Sequence, residues 1–345
     1  MGRVLNVYCS KSGIAVDYDQ KKIYLDPRSS VECDYIFVSH AHMDHLHRTK
    51  TKHDATRVIT SAATLRIAHT RGYELKNFCN DHSFQLLDTG HILGSNGLLI
   101  DDQLYYTGDI SVRKRAFMNP AVIPKTKNLI IESTFGREDY IFPKTDIVIH
   151  EVNAIISEIF HHGRPVVLLG YPLGKAQVLT ELFHHWEPLY AEDSIIEMNC
   201  LYSELGVNIS TPKSYSLAER EGLLSRDIPW VLIAPLNSAR NGFLEHLRRK
   251  YSPITIGFSG WGIKPNFKYV LGLDYCFPLS DHCDFNELVT VVEKCCPERI
   301  YTCHGFDNDF ASALRNLGFD ATPVQTKSKA NKEKIRNSSV LPDWW

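Results

Sequence analysis

At 345 residues, with 43% hydrophobic and 23% charged side chains, the chain has the make-up of an ordinary globular protein, which excludes a disordered or fibrous class; its length predicts two domains at about 150 residues each. A formal net charge of −2 excludes the overall basic footprint of a histone-like or repressor-like binder, so any polyanion must be held locally. No run of about 18 apolar residues occurs and strand-like sequence begins at once, which predicts a cytoplasmic protein with neither membrane span nor signal peptide. The nine cysteines are odd in number and include no Cys-x-x-Cys pair, so they read as reduced, mostly buried thiols and not as a disulfide framework or zinc knuckle.

In chain order, strands are expected at residues 5–9, 13–17, 22–25 and 35–39, separated by the turn signals Lys11-Ser12-Gly13 and Asp26-Pro27-Arg28. Val58-Ile59-Thr60 leads into a capped helix pattern at 61–68. Further strands are expected at 84–88, 97–101, 104–107 and 129–132. From about Lys144 the pattern changes to helices alternating with apolar strands: helix 147–160, strand 165–169, helix 175–185, strand 230–234, helix 242–249 and strand 255–258. A helix at 286–295 and a strand at 299–303 return to the character of the first part. The lysine-rich stretch 327–337 reads as a solvated tail.

Tyr35-Ile36-Phe37-Val38-Ser39 runs directly into His40-Ala41-His42-Met43-Asp44-His45. Imidazole nitrogens and carboxylate oxygens are the donors that a borderline cation such as zinc prefers. Residues 40 and 42 share one face of extended backbone, and Asp44 with His45 lie beyond the turn, so one loop can serve two ions a few ångströms apart. Four donors do not complete two catalytic sites, and the remainder are expected at the ends of other strands. His91 in Thr89-Gly90-His91-Ile92-Leu93-Gly94-Ser95, Asp109 in Tyr106-Thr107-Gly108-Asp109 and His304 in Thr302-Cys303-His304-Gly305 meet that requirement, each beside a glycine. Of the sixteen histidines, His47 and His53 are less informative. The cluster by itself means a metal-dependent hydrolase.

Taken in order, these motifs resemble the β-CASP nucleases of the metallo-β-lactamase superfamily over nearly the whole chain. Glu132 in Glu132-Ser133-Thr134-Phe135-Gly136 resembles the acidic motif A, His282 in Ser280-Asp281-His282-Cys283-Asp284 resembles motif B, and His304 resembles motif C. Gly174-Lys175-Ala176-Gln177 is similar to a helix start in the insert that defines the family. The resemblance implies an α/β fold: a metallo-β-lactamase αββα sandwich from residues 1–139 and 279–326, an inserted α/β β-CASP domain at 140–278, and a polar C-terminal tail at 327–345. It further implies that His40, His42 and His91 hold one metal ion, that Asp44, His45 and His304 hold the other, and that Asp109 bridges them. Two zinc ions are expected, with manganese as the alternative. Cys283 stands where alanine or valine is common and Lys175 where arginine is common, and loss of the arginine fork weakens a phosphate contact.

Two ions sharing a water lower its pKa and offset the charge growing on phosphorus. Asp44, His282 and Glu132 form the expected catalytic set, with His282 protonating the leaving alkoxide and Glu132 holding its tautomer. Ser95, Asn96, Ser133, Thr134, Lys175 and the basic run Arg113-Lys114-Arg115 are candidates to line a phosphate groove, the run being equally readable as an exposed face. Trp261, between Gly260 and Gly262, either stacks a base or packs in a core. The expected activity is hydrolysis of phosphodiesters in RNA, as an exonuclease in RNA processing or decay. Single-stranded nucleic acid is the expected partner, RNA ahead of DNA because a histidine at motif C resembles the RNA-processing branch. Gly260-Trp261-Gly262 and the short length also resemble ligase-associated exonucleases, so a single-stranded DNA exonuclease in DNA repair is the alternative. A small-molecule ester or thioester hydrolase is a remote one, against which the long insert argues. A non-catalytic RNA-binding subunit is disfavoured, because every expected ligand is present. No membrane partner is expected, and the assembly state is left open, a homodimer included.

Overall fold

Apolar runs broken by turn residues become strands along the first part of the chain, in the computed structural model that describes residues 5–29, 31–46, 56–236 and 242–325. The tail expected at 327–345, and His47 and His53, lie outside the described residues. The first elements are β1 (Leu5–Ser10), β2 (Gly13–Tyr18), β3 (Lys21–Leu25), β4 (Tyr35–Phe37), β5 (Arg57–Ile59), α1 (Ala62–Thr70), β6 (Phe84–Asp88), β7 (Asn96–Ile100), β8 (Leu104–Tyr106) and β9 (Asn128–Ser133). There follow α2 (Thr145–His161), β10 (Val166–Gly170), α3 (Lys175–Phe183), β11 (Leu189–Ala191), α4 (Asp193–Glu204), β12 (Lys213–Ser214), α5 (Tyr215–Arg220) and β13 (Val231–Pro235). The chain closes through α6 (Gly242–Tyr251), β14 (Ile254–Phe258), α7 (Phe267–Leu271), β15 (Tyr275–Phe277), α8 (Phe285–Cys295), β16 (Arg299–Gly305), α9 (Asp307–Asn316) and β17 (Ala321–Pro323).

These elements form two compact units. Among the described residues, one takes those up to Val112, Pro120–Asp139 and those from Cys283 on; the other takes Arg113–Asn119 and those between Tyr140 and His282. The edges expected from sequence lay at 139/140 and 278/279, so the structure moves the second edge four residues on and gives the 113–119 segment to the second unit.

In the first unit, β1 to β5 make a sheet in sequence order, and a second sheet has the order β17-β16-β9-β8-β7-β6. Strand side chains alternate between faces. Leu98, Ile100, Tyr106 and Ile130 of the second sheet therefore share a core with Val16, Ile23, Leu25 and Phe37 of the first. Their chain neighbours Leu99, Tyr105, Leu129 and Ile131 face the other way, onto Leu288, Val291 and Val292 of α8 and Phe310 and Leu314 of α9. Each fully buried side chain of this kind contributes about 1.5–3 kcal/mol. The result is two facing sheets with helices outside.

In the second unit, six strands run parallel in the order β12-β11-β13-β10-β14-β15. β10 and β13 are buried at every position, which is why both read as unbroken apolar runs. Val148, Val152 and Ile156 of α2 recur every four residues, one face of a helix, and pack with Ala176, Leu179 and Phe183 of α3 against Leu168, Ile233 and Ile256. Among the described residues no helix is long and apolar enough to cross a membrane.

Candidate metal centre

β4 leaves its sheet after Phe37, and the next residues are tied down individually. The Val38 amide donates to the Ile59 carbonyl at 3.0 Å, and the Ser39 amide and hydroxyl donate to the two oxygens of Asp26 at 2.7 and 2.6 Å. The His45 and Leu46 amides both donate to the His42 carbonyl, closing a turn, and the Arg71 guanidinium donates to the Ala41 carbonyl. Gly108 brings in Asp109: it has φ +54°, and a Cβ there would lie 2.6 Å from that of Ser39, an approach open only to glycine.

Within this frame the ring nitrogens of His40, His42 and His91 and a carboxylate oxygen of Asp109 all lie within 4.8 Å of one another. His42 Nδ1 is 3.0 Å from His40 Nε2 and 3.1 Å from His91 Nε2. Asp109 Oδ2 is 3.4 Å from His40 Nε2 and 3.5 Å from the Nε2 atoms of both His45 and His91. A neutral imidazole has one N–H and one lone pair. Nitrogens crowded this closely cannot all be satisfied by each other, whereas a divalent cation among them accepts every lone pair. The donor set therefore fits a metal ion.

His45 turns its Nδ1 to Asp26 Oδ2 at 2.8 Å and its Nε2 towards Asp44 and Asp109, each at 3.5 Å. Burial pulls the His45 pKa down, but the carboxylates of Asp109, Asp44 and Asp26 outweigh it and hold the value well above the ordinary histidine range. The Asp44 side chain is 41% exposed. The rings of His304 and His45 are 5.5 Å apart. Desolvation and the neighbouring His45 push His304 down to about 4, which keeps it in the neutral form that binds metal.

His304 reaches the cluster through a bulge. The pairing of β9 with β16 shifts register between Cys303 and Gly305, and His304 has φ +57°, so its side chain is redirected out of the strand's alternation. A Cβ on Gly305 would lie 2.5 Å from the Ser133 carbonyl. The Ser133 hydroxyl holds the bulge from inside, with the Cys303 and His304 carbonyls both 2.8 Å away.

Glu132 is fully buried. One of its oxygens accepts the Ile110 amide at 2.7 Å and the other accepts the Thr134 hydroxyl. His282 ends the second unit, with its amide donating to the Ser280 hydroxyl at 3.0 Å. The next amide, Cys283, donates to the Ile110 carbonyl at 2.8 Å. Glu132 and Cys283 thus both hang on the residue that follows Asp109.

Asp26 is the participant that sequence reasoning missed. It was read only as turn punctuation, yet its buried carboxylate accepts the Tyr106 hydroxyl at 2.8 Å besides the two Ser39 donors, and orients His45. Its sole signal was an acid closing an apolar strand ahead of a proline.

Most of the residues expected to contact substrate are buried. Ser95 is 1% exposed and accepts the Thr89 hydroxyl and the Ile92 amide, holding the turn that carries His91. Ser133 and Thr134 are committed to the bulge and to Glu132, as above. Lys175 is 1% exposed and ion-paired with Asp281 at 2.8 Å, so its ammonium is not offered to a phosphate. Trp261 is 7% exposed and meets Tyr140 edge-on, with ring centres 5.5 Å apart; it is a core residue. Of the basic run, Arg115 is 1% exposed and paired with Asp281, Arg113 lies over the Phe142 ring, and Lys114 is exposed. Asn96 stays half-buried in β7, its amide bound to the Ser39 carbonyl.

No family model matches the chain. A probable DNA ligase from Opitutus terrae is 32% identical over 302 residues, which is 84% of this chain and 28% of the ligase. Transcription termination factor FttA from Methanocaldococcus jannaschii is 26% identical, over 67% of this chain and 47% of the factor. An RNase J-like protein from the same organism is 24% identical, over 79% of this chain and 81% of its own length. The chain belongs to the β-CASP family of the metallo-β-lactamase superfamily. This β-CASP chain spans less than a third of the ligase and about half of the termination factor. A solved structure of a protein of unknown function from Enterococcus faecalis V583 superposes with a TM-score of 0.59 at 13% identity, covering 89% of this chain and 96% of that one. That likeness is one of fold, and it agrees with the α/β architecture of the β-CASP chain.

Proposed function

We propose that this β-CASP chain is a metal-dependent nuclease that hydrolyses phosphodiester bonds in RNA, as an exonuclease in RNA processing or decay. One observation carries the proposal: three imidazole nitrogens and the Asp109 carboxylate converge within 4.8 Å, a donor set without a use in an uncharged core. His40, His42 and His91 would hold one ion, Asp44, His45 and His304 the other, and Asp109 both. A pair of zinc or manganese ions bound there would lower the pKa of a shared water and offset charge on phosphorus.

The chain's own groups do the rest. Asp26 engages His45 Nδ1, so Nε2 is the nitrogen turned to the site, where a bound cation would take the place of its proton. His282 gives a proton to the leaving oxygen, which is otherwise a poor leaving group. Glu132, fixed by the Ile110 amide and the Thr134 hydroxyl, is the carboxylate that keeps His282 in its donating form.

Single-stranded nucleic acid is the proposed substrate. The names of the RNase J-like relative and the termination factor support RNA. A second reading, a ligase-associated exonuclease acting on single-stranded DNA in repair, is supported by the relative named a probable DNA ligase. The test is to incubate purified protein and zinc or manganese with end-labelled RNA and DNA of one sequence and to compare the product ladders. RNA shortened from one end is the expected result, and preferential loss of DNA selects the second reading. If neither polymer is cut while a small ester is, the nuclease proposal fails.

A further inference from the structure

The second unit buries an ion cluster that the proposed chemistry does not use. Lys175, at the start of α3, and Arg115 are each 1% exposed, and Asp281 is 6% exposed. Lys175 Nζ lies 2.8 Å from Asp281 Oδ1 and 2.5 Å from the Leu279 carbonyl. Arg115 Nη1 pairs with the same Oδ1 and reaches the Ser280 carbonyl at 3.5 Å. Two buried cations thus share one carboxylate oxygen, and each also takes a carbonyl from residue 279 or 280.

Stability alone is a poor reason for such a cluster. Taking charges out of water is costly, and well-packed apolar side chains hold a core at least as well as a buried ion network. What the cluster grips is informative instead, because residues 279–281 are the backbone leading into His282. The Leu279 amide is held by the Phe277 carbonyl and the His282 amide by the Ser280 hydroxyl. On the far side the Cys283 amide is held by the Ile110 carbonyl, and Asp284 opens α8 with a reciprocal cap to Glu287. His282 therefore sits in a stretch tied down on both sides, and the ties on its N-terminal side end in Lys175 and Arg115.

We propose that Lys175 and Arg115, acting through Asp281, are positioning residues for His282: they fix the backbone that presents its ring as proton donor. The proposal rests on the nuclease reading of His282. The lysine at 175 suits the role, since a compact ammonium with three donors can satisfy the Asp281 oxygen and the Leu279 carbonyl together.

The test separates positioning of an acid from general support of the fold by using two leaving groups. Wild type, Lys175→Met, Arg115→Met and Lys175→Arg are compared for metal content, melting temperature, and kcat and KM. One substrate is the nucleic acid that the wild type cuts. The other is bis(p-nitrophenyl) phosphate, whose leaving group departs without a proton. For Lys175→Met, kcat on nucleic acid should fall about 10- to 100-fold, with KM, metal content and turnover of the activated ester within about twofold of wild type. Lys175→Arg should recover most of the loss. Equal loss on both substrates, or no loss on either, overturns the positioning role. Arg115→Met, which leaves a neutral Lys175–Asp281 pair, carries the same test if Lys175→Met does not fold. A wild type that cuts no nucleic acid fails the nuclease reading, and this proposal with it, before any variant is measured.

Discussion

Each unit buries a cluster of ionisable side chains, and the two clusters follow opposite charge logic. In the first unit His42 Nδ1 lies 3.0 Å from His40 Nε2 and 3.1 Å from His91 Nε2, with an Asp109 oxygen within 4.8 Å of all three, a set of groups that each own a lone pair. In the second, Lys175 and Arg115 face one oxygen of Asp281, donors facing an acceptor. The first arrangement becomes favourable when a cation enters it; the second already contains its cations. Both clusters are largely buried, and what faces what separates a set that can take up a cation from one that is internally paired.

The largest effect should come from removing the shared carboxylate of the first cluster. Asp109→Ala is expected to lose bound metal by elemental analysis and to lower cleavage about 1,000-fold or more. Full metal content in that variant would break the contrast, since the donors would then need no bridge. His282→Ala should instead keep its metal and lose about 100- to 10,000-fold in turnover on nucleic acid; unchanged turnover would remove it as the acid. Asp26→Asn tests the support behind the donors, with metal affinity expected to fall about 10- to 100-fold while the fold holds. Competition with a chelating dye measures it.

The second cluster should respond to acid and not to chelator. Burial raises the Asp281 carboxyl, but Lys175 and Arg115 outweigh it and hold the value below the usual carboxylate range. A folded value below the unfolded one, about 3.9, means that this contribution is fully present above the unfolded value and is lost as pH falls through the folded one. Lys175 responds with the same sign at high pH: burial pushes it down to about 8, below its unfolded value, so stability again rises with pH as the folded lysine loses its proton between the two values. Urea midpoints of wild type and Asp281→Asn across pH should therefore differ above about pH 5 and converge in acid. A gap that persists unchanged to the lowest folded pH would sharpen the contrast differently, placing the brace outside Asp281.

How much could be read from the amino-acid order varied with how local each signal was. His40 to His45 stand on one loop after one apolar strand, so their chemistry is legible without a partner. β10 and α2 are legible because period and burial coincide over a whole element. β11, β12, β15 and β17, of two or three residues each, are too short to carry a period. α9 hides its apolar face in Phe310, Ala311 and Leu314 among polar neighbours. Lys175 is read as surface-facing from sequence for one reason. A lysine is buried only when an anion meets it, and its anion lies 106 residues away in the chain.

By itself the sequence determined which donor types the chain owns, the strand ends that carry them, and a pattern that marks a β-CASP chain, because each of these is written in neighbouring residues. Only the tertiary structure decided that Asp26 stands behind His45, that a bulge and Gly305 bring His304 round, and that Lys175, Arg115 and Asp281 close on the backbone before His282. Those are relations between groups far apart in the chain, and a buried charge acquires its meaning from the charge that faces it.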